Sequence, residues 1–331
     1  MGVKLLKRKL TSFQIIIFGF SGVILFGTFL LMLPFSSRSG LAMPFSEALF
    51  TSTSAVCVTG LIIHDTATYW SAFGQFVILL LIQIGGMGVI TVAASFAMIS
   101  GRKISLMQRS TMQEAVAAPK MSGIVRLTGF IIRATLLIEL SGAALLAPVF
   151  CRDFGPIRGL WMAVFHSISA FCNAGIDLMG IRIPFSSLTL YAANPLVNLV
   201  IMALITIGGI GFLTWEDIRS NQLHFSRYRM QSKVILTTTA ILILFPALYF
   251  YFGEFRQGSF GIRLLLSLFQ SVTPRTAGFN TADFSQLSAS GQMLTIILML
   301  IGGSPGSTAG GMKTTTLAVL TATAVSVFRR N

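Results

Sequence analysis

Long apolar stretches alternate along the chain with shorter polar ones, at intervals that suit membrane-crossing helices. Residues 13–33 form the first apolar stretch, and residues 127–150 and 234–252 form two more of similar length. A helix needs about 20 apolar residues to cross the hydrocarbon core of a bilayer. Three further apolar stretches, at 73–99, 192–215 and 293–328, are interrupted by glycine or begin and end near it. This pattern predicts an all-α polytopic membrane protein.

A short polar segment that ends in glycine recurs three times between these apolar stretches. Residues 50–60 read FTSTSAVCVTG, residues 165–175 read FHSISAFCNAG, and residues 268–278 read LFQSVTPRTAG. Each copy is followed by a second glycine motif: IGGMG at 84–88, IGGIG at 207–211 and IGGSPG at 301–306. Since two coupled motifs repeat in step, the chain is predicted to contain three copies of one structural unit.

The repeat divides the chain into helix/pore-loop/helix units that are joined by polar connections. We expect a basic tail at 1–12, a first unit at 13–100, a connection at 101–126, a second unit at 127–215, a connection at 216–233 and a third unit at 234–331.

The polar segments are too short to cross a bilayer, so each is predicted to enter the membrane and turn back. Irregular backbone at that depth is tolerated only where protein surrounds it or water lines it. A short helix that ends before the glycine would direct its partially negative carboxyl end at a central cation. Carbonyl oxygens of the extended Val58, Thr59 and Gly60 could then replace the hydration shell of a potassium-sized ion. Ordinary polar helix caps are the alternative, which the threefold repetition disfavours.

The third unit contains a flexible loop in the middle of its last apolar stretch. Five glycines and a proline fall within residues 302–311, which predicts a break in the helix and a loop that could gate the path below the polar segments. A kink for close helix packing is the alternative. A phosphate-binding loop is excluded, because Met312 stands where that motif requires lysine after glycine. The candidate gating residues are Gly302, Gly303, Ser304, Pro305, Gly306, Ser307, Thr308, Ala309, Gly310 and Gly311.

Two charged residues interrupt the first apolar stretch of the second unit. Arg133 lies near its beginning, where a long side chain can extend to the membrane surface. Glu139 lies nearer the middle, where a carboxylate is costly and indicates either a function in the ion path or a buried partner. The sequence leaves both readings of Glu139 open.

Composition and charge agree with a membrane protein. Of the 331 residues 54% are hydrophobic and 10% are charged, with a mean hydropathy of +0.81. The formal net charge of +14 does not indicate a nucleic-acid partner, because the basic residues cluster in the tail and in the two connections. Basic loops are typical of the cytoplasmic side, so the amino terminus is predicted to be cytoplasmic. The three cysteines show neither zinc-site nor disulfide spacing.

The segments SAVCVTG, SAFCNAG and TPRTAGFNT, together with the loop IGGSPGSTAGGMKTTT, resemble the Ktr/Trk/HKT superfamily of potassium transporters, and most closely the membrane subunit of bacterial Ktr uptake systems. The resemblance implies repeated units around a pseudo-fourfold pore in the bacterial cytoplasmic membrane, with the fourth repeat missing from this chain. It also implies a selectivity filter that holds potassium on backbone carbonyls. The implied filter residues are Val58, Thr59, Gly60, Asn173, Ala174, Gly175, Thr276, Ala277 and Gly278.

The resemblance further implies partners and a coupled ion. Transport of potassium would depend on sodium, as an activating or coupled ion, and no covalent cofactor is expected. A homodimer would sit on a cytoplasmic ring of nucleotide-binding, KtrA-like regulatory subunits, which would dock on residues 101–126 and 216–233.

Two other functions compete with potassium uptake. The chain could be a truncated, non-conducting fragment that only assembles with a complete subunit. It could also be an intramembrane enzyme, for which His64 and Asp65 are the one adjacent pair worth considering, although no nucleophile accompanies them. We therefore expect a transporter and not an enzyme.

Overall fold

The computed structural model describes residues 11–99, 104–118, 120–222 and 224–330. Most of the predicted tail at 1–12, a few residues of both connections and the last residue therefore lie outside the described residues. Within the described ranges the secondary structure is helical, with two isolated β-bridges and no strand. The α-helices are α1 Ser12–Met32, α2 Phe45–Val56, α3 Thr66–Tyr69, α4 Ala72–Met87, α5 Val89–Ile99, α6 Leu106–Ala115, α7 Ile124–Phe154, α8 Pro156–Phe171, α9 Pro195–Gly209, α10 Phe212–Asn221, α11 Met230–Tyr249, α12 Phe260–Val272, α13 Ala289–Leu300 and α14 Thr314–Arg330.

Three helices of the described chain are long and apolar enough to cross a membrane. They are α1, α7, and α11 with the π-helical turn Phe250–Glu254 that continues it. Each is followed by a shorter helix of 12 to 16 residues, namely α2, α8 and α12. Each short helix is followed in turn by a broken apolar helix: α4 with α5, α9 with α10, and α13 with α14.

The last helix of the second unit breaks within the apolar stretch at 192–215, at its glycine motif. It bends by 98° between α9 and α10, and the two parts together form a fourth candidate span. Gly211 at the bend has a φ of +88°, a conformation that glycine adopts without steric cost. The preceding short helix α8 begins at Pro156, upstream of the polar segment at 165–175, since proline suits the first turn of a helix.

The first two units pack their helices in the same way. Ser52 on α2 donates a hydrogen bond to the carbonyl oxygen of Ile24 at 2.8 Å, and Ser167 on α8 donates one to the carbonyl oxygen of Glu139 at 2.6 Å. A glycine lies one turn further along each long helix, and a Cβ there would approach the same serine hydroxyl at 2.6 Å for Gly27 and 2.5 Å for Gly142. Small residues thus let the long and short helices approach closely at equivalent positions.

The downstream glycine motifs bring the returning helix against the carboxyl end of the short helix. A Cβ on Gly85 would overlap the carbonyl oxygen of Val56, and a Cβ on Gly208 would overlap that of Phe171. Val56 and Phe171 are the last residues of α2 and α8. In these two units the paired motifs repeat together because one packs against the other.

Candidate functional site

The three glycine-terminated segments lie side by side, with the second between the first and the third. A Cβ on Gly60 would overlap the carbonyl oxygen of Ala174, and a Cβ on Gly175 would overlap the carbonyl oxygen of Ala277. Gly278 approaches Gly175 in return, with 3.2 Å from a Cβ built on it to the Gly175 Cα. Each segment follows directly on α2, α8 or α12, so three helix carboxyl ends surround the same region.

The backbone follows one conformation in all three segments. The glycines Gly60, Gly175 and Gly278 have φ values of +76°, +67° and +84°. The residues two positions earlier, Val58, Asn173 and Thr276, also have positive φ, at +56°, +58° and +60°, whereas the residues between them do not. A non-glycine residue in this region is uncommon and costs free energy, so its occurrence at the same register three times indicates a functional constraint.

Hydrogen bonds to the preceding short helices hold the first and second segments in this conformation. The Thr59 N–H donates to the carbonyl oxygen of Ser54 at 2.9 Å, and the Ala174 N–H donates to that of Ser169 at 2.8 Å. The Ser169 hydroxyl also donates to the carbonyl oxygen of Ile176 at 2.6 Å, just beyond the glycine. These bonds fix the strained residues on both sides.

The third segment is held differently. Helix α12 ends at Val272, because Pro274 follows, whereas the other two short helices continue to the position equivalent to Pro274. Arg275 is buried, and its Nη2 lies 3.4 Å from the Thr239 hydroxyl on α11. Its Nε has no hydrogen-bond partner in the described part of the chain. The carbonyl oxygen of Arg275 accepts a bond from Asn173 Nδ2 at 3.4 Å, which ties the second segment to the third.

Residues 302–311 form a folded-back loop between α13 and α14. The loop closes on itself where the Gly302 N–H donates to the Met312 carbonyl oxygen at 3.0 Å and the Gly303 N–H to that of Gly310 at 3.3 Å. It is bound to the bend of the second unit by three backbone bonds: Ser304 N–H to the Gly209 carbonyl at 2.9 Å, Thr308 N–H to the Gly208 carbonyl at 3.3 Å, and Phe212 N–H to the Gly306 carbonyl at 2.7 Å.

The loop also contacts the glycine-terminated segments directly. The Thr308 hydroxyl lies 3.0 Å from the carbonyl oxygen of Phe171 and 3.2 Å from Oδ1 of Asn173, so its one proton can bond to either. A Cβ on Gly311 would lie 3.4 Å from Cγ2 of Thr276. On its other side the loop meets the connection between the first two units, where a Cβ on Gly306 would lie 2.5 Å from the Val116 carbonyl oxygen.

Glu139 is buried behind the second segment and does not contact Arg133, whose side chain is exposed. The carboxylate Oε2 accepts a hydrogen bond from Gln83 Nε2 on α4 at 3.0 Å. Cys172 lies beside both, with its Sγ 4.0 Å from Glu139 Oε1 and 3.9 Å from Gln83 Oε1. The structure thus brings together a carboxylate, an amide and a thiol from both units. The sequence did not single out Gln83 or Cys172 as partners of Glu139. Cys172 and Arg275 do share one register, the third position before the glycine of their segments.

His64 and Asp65 have structural partners. His64 Nε2 lies 2.7 Å from Glu47 Oε2, and its ring stacks on Tyr69. Asp65 Oδ1 caps α3 by accepting the N–H groups of Ala67 and Thr68 at 3.0 Å, and its Oδ2 accepts the N–H of Phe185 at 2.9 Å. The described residues contain no cluster of three metal-ligating side chains.

Comparison with known proteins defines the class. A family model described as TrkH, cation transport protein, matches residues 6–331. The chain belongs to this family of cation transport proteins, whose members are transporters and not enzymes.

Two curated relatives are similar over most of the chain. Potassium/sodium uptake protein NtpJ of Enterococcus hirae is 44% identical over 96% of this chain and 70% of its own length. Ktr system potassium uptake protein B of Bacillus subtilis is 38% identical over 97% of this chain and 72% of its own length.

A solved structure shares the fold. The potassium transporter TrkH from Vibrio parahaemolyticus matches with a TM-score of 0.70 at 20% identity. The match covers 98% of this chain and spans 64% of the length of that protein.

Proposed function

We propose that this chain carries potassium across the bacterial cytoplasmic membrane through a filter lined by backbone carbonyls. The observation that carries the proposal is that Gly60 and Gly278 both lie against the segment of Gly175, at the ends of three short helices. The names of the relatives, which describe potassium uptake, support potassium as the ion.

The proposed filter acts by replacing water around the ion. The carbonyl oxygens of the residues around each glycine substitute for the hydration shell of potassium, and the site must bind weakly enough for the ion to leave. The carboxyl ends of α2, α8 and α12 add partial negative charge beside the same region, which favours a cation. The proposed filter residues are therefore the three sets 58–60, 173–175 and 276–278.

The loop at 302–311 is proposed as the gate. Its support is its position, because Thr308 contacts the end of α8 and Gly311 approaches Thr276 of the third segment. A loop that is held mainly by single backbone bonds to the bend of the second unit can be released without unfolding a helix. We expect deletion of residues 303–310 to raise ion flux, and unchanged or lower flux in a correctly inserted protein would contradict the gate.

Regulation from the cytoplasm is proposed to reach the gate through the first connection. Val116, which follows α6, packs against Gly306 of the loop. A nucleotide-binding ring docked on 101–126 and 216–233 could thereby shift the loop. The same proposal includes a homodimer, a cytoplasmic amino terminus and a role for sodium, which the name of one relative also mentions.

Growth of a bacterium that lacks its own potassium uptake tests the proposal. Expression of the gene should restore growth on low potassium, and replacing Gly60 with serine should weaken the discrimination between potassium and sodium. Gly129→Ser is the matched control, because a Cβ on Gly129 meets no atom within 4 Å. Rescue that is indifferent to Gly60→Ser would contradict the carbonyl filter.

A further inference from the structure

A cavity of about 450 Å³ lies between the first two units. One wall is formed by Gln75 and Phe76 of α4, and the opposite wall by Arg158 and Trp161 of α8. Arg38, which follows α1, closes one side. The cavity lies at the end of the bundle opposite the polar connections, beside the first turn of the second short helix.

The cavity concentrates positive charge. Arg38 and Arg158 come from different units and neither forms an ion pair within the described residues. Arg38 uses its Nε to bond the Trp70 carbonyl oxygen at 3.2 Å, which leaves its terminal nitrogens free to bind a ligand. The Asp177 carboxylate, beside the lining residue Leu178, accepts the N–H of Met179 at 2.9 Å.

The cavity is also polar and ordered on its inner wall. Trp161 Nε1 donates to Gln75 Oε1 at 2.9 Å, and Gln75 Nε2 donates to the Trp70 carbonyl oxygen at 3.2 Å. The 16-residue α8 begins at Pro156 with no side-chain cap, so its amino-terminal N–H groups add partial positive charge beside Arg158. Guanidinium groups and a helix amino terminus together suit a phosphate group.

The rim of the cavity is apolar. Phe76 on α4, which is 47% exposed, and the half-buried Ile181 both line it. In a membrane protein such outward apolar faces meet lipid chains. Tryptophan beside arginine at the end of a span is typical of the interface between lipid chains and headgroups.

We propose that this cavity binds the phosphate of an anionic phospholipid, with Arg38 and Arg158 holding the headgroup and the rim at Phe76 and Ile181 holding an acyl chain. The lipid would bridge the first and second units at the level of the outer headgroups. A free phosphate ion would match the arginines but not the apolar rim.

Native mass spectrometry of the purified protein tests this site. The probes are phosphatidylglycerol, phosphatidylcholine with matched chains, and inorganic phosphate. We expect phosphatidylglycerol to be retained preferentially, and the double variant Arg38→Gln, Arg158→Gln to bind it at least about tenfold more weakly, since each arginine contributes a charge-assisted bond. Arg152→Gln is the matched control, because Arg152 is exposed in the same region, does not line the cavity and pairs with Asp153.

Three outcomes would overturn the proposal: equal retention of both lipids, equal loss of phosphatidylglycerol in the Arg152 control, or binding of inorganic phosphate without the lipid. Quenching of Trp161 fluorescence by brominated phosphatidylglycerol provides a second readout that does not depend on transport. Quenching should fall in a Trp161→Phe variant, and quenching that is unchanged there would place the lipid elsewhere. Neither readout depends on the proposed potassium filter.

Discussion

In the second unit Gly208 lies against the carbonyl of Phe171, at the end of the short helix, whereas in the third unit the corresponding Gly302 lies against the carbonyl of Gly310, inside the loop. The same glycine motif therefore serves two purposes. In one unit it locks the returning helix onto the filter segment, and in the other it lets the chain fold back on itself. The contact in the second unit joins two helices, and the contact in the third unit lies within the loop that we propose as the gate.

The second and third segments also differ in the contacts of the residue three positions before the glycine. Cys172 is enclosed by Gln83 and Glu139 from two units, whereas Arg275 at the equivalent position has one long hydrogen bond, to Thr239. A buried guanidinium with an unpaired Nε is costly. The Thr273 hydroxyl still donates to the Phe279 carbonyl oxygen, and the Ala277 N–H donates to the Thr273 carbonyl oxygen at 3.0 Å, so the third segment differs from the second mainly in what surrounds the residue three positions before its glycine.

We expect the largest effect from alanine at Gly208, the glycine that contacts the end of the short helix in the second unit. Gly208→Ala forces a Cβ into the Phe171 carbonyl, so we expect the free energy of unfolding to fall by about 1–3 kcal/mol. We also expect ion transport to be lost. Gly310→Ala is the matched control, because a Cβ there meets no atom within 4 Å. Thermal unfolding of the purified variants measures the stability of Gly208→Ala and of Gly310→Ala. Equal stability of the two variants would contradict the proposed role of Gly208.

Serine at the glycines of the segments should have the next largest effect. A Cβ on Gly175 overlaps the Ala277 carbonyl oxygen, while a Cβ on Gly278 approaches its nearest neighbour at 3.2 Å. We expect Gly175→Ser to lower potassium-over-sodium discrimination by roughly tenfold, about 1.4 kcal/mol, and Gly278→Ser to lower it less. Competitive ion flux into proteoliposomes measures the discrimination. A larger effect at Gly278 would reverse the comparison.

Replacing Glu139 should have a smaller effect on stability, which depends on whether Gln83 is replaced with it. Glu139→Ile, which introduces the residue of the first unit at this position, leaves the Gln83 amide without its acceptor and should cost about 1 kcal/mol. The exchange Gln83→Glu with Glu139→Gln keeps one carboxylate and one amide, so stability and discrimination should return towards the original values. If the exchange is no better than Glu139→Ile, the pair does not position the second segment.

The smallest effect concerns pH in the loop after the second segment. Burial raises the pKa of Asp177 from its ordinary value of 3.8 to about 6, and the nearby Asp65 adds to the rise, whereas bonds from Met179 and Ser187 oppose it. Because the folded state holds the proton more tightly than the unfolded state, this group stabilises the fold at low pH. That stability is lost as pH rises through about 6. Asp177→Asn should remove this dependence from thermal unfolding curves between pH 4 and 8, and an unchanged slope would contradict it.

Much of the fold could be predicted from the sequence. The all-helical class and the family were predicted and are confirmed, because the length of apolar stretches and the repeated motifs are local features. The equivalence of Gly60, Gly175 and Gly278 could also be predicted, since each glycine ends an 11-residue polar segment of the same pattern.

The rest depends on contacts between units. The partners of Glu139 could not be predicted, because they lie on α4 and directly after α8, 56 and 33 residues away in the chain. The 98° bend at Gly211 depends on the loop that binds there, through the Phe212 N–H and the Gly306 carbonyl. The burial of Arg275 likewise reflects its surroundings and not its own segment.

Anomalous diffraction from crystals soaked in thallium(I), an ion of nearly the size of potassium, tests the central claim most directly. The account predicts a peak between the carbonyl oxygens of residues 58–60, 173–175 and 276–278, which excess potassium should displace. A peak elsewhere in the protein, or no displaceable peak between these segments, would contradict it.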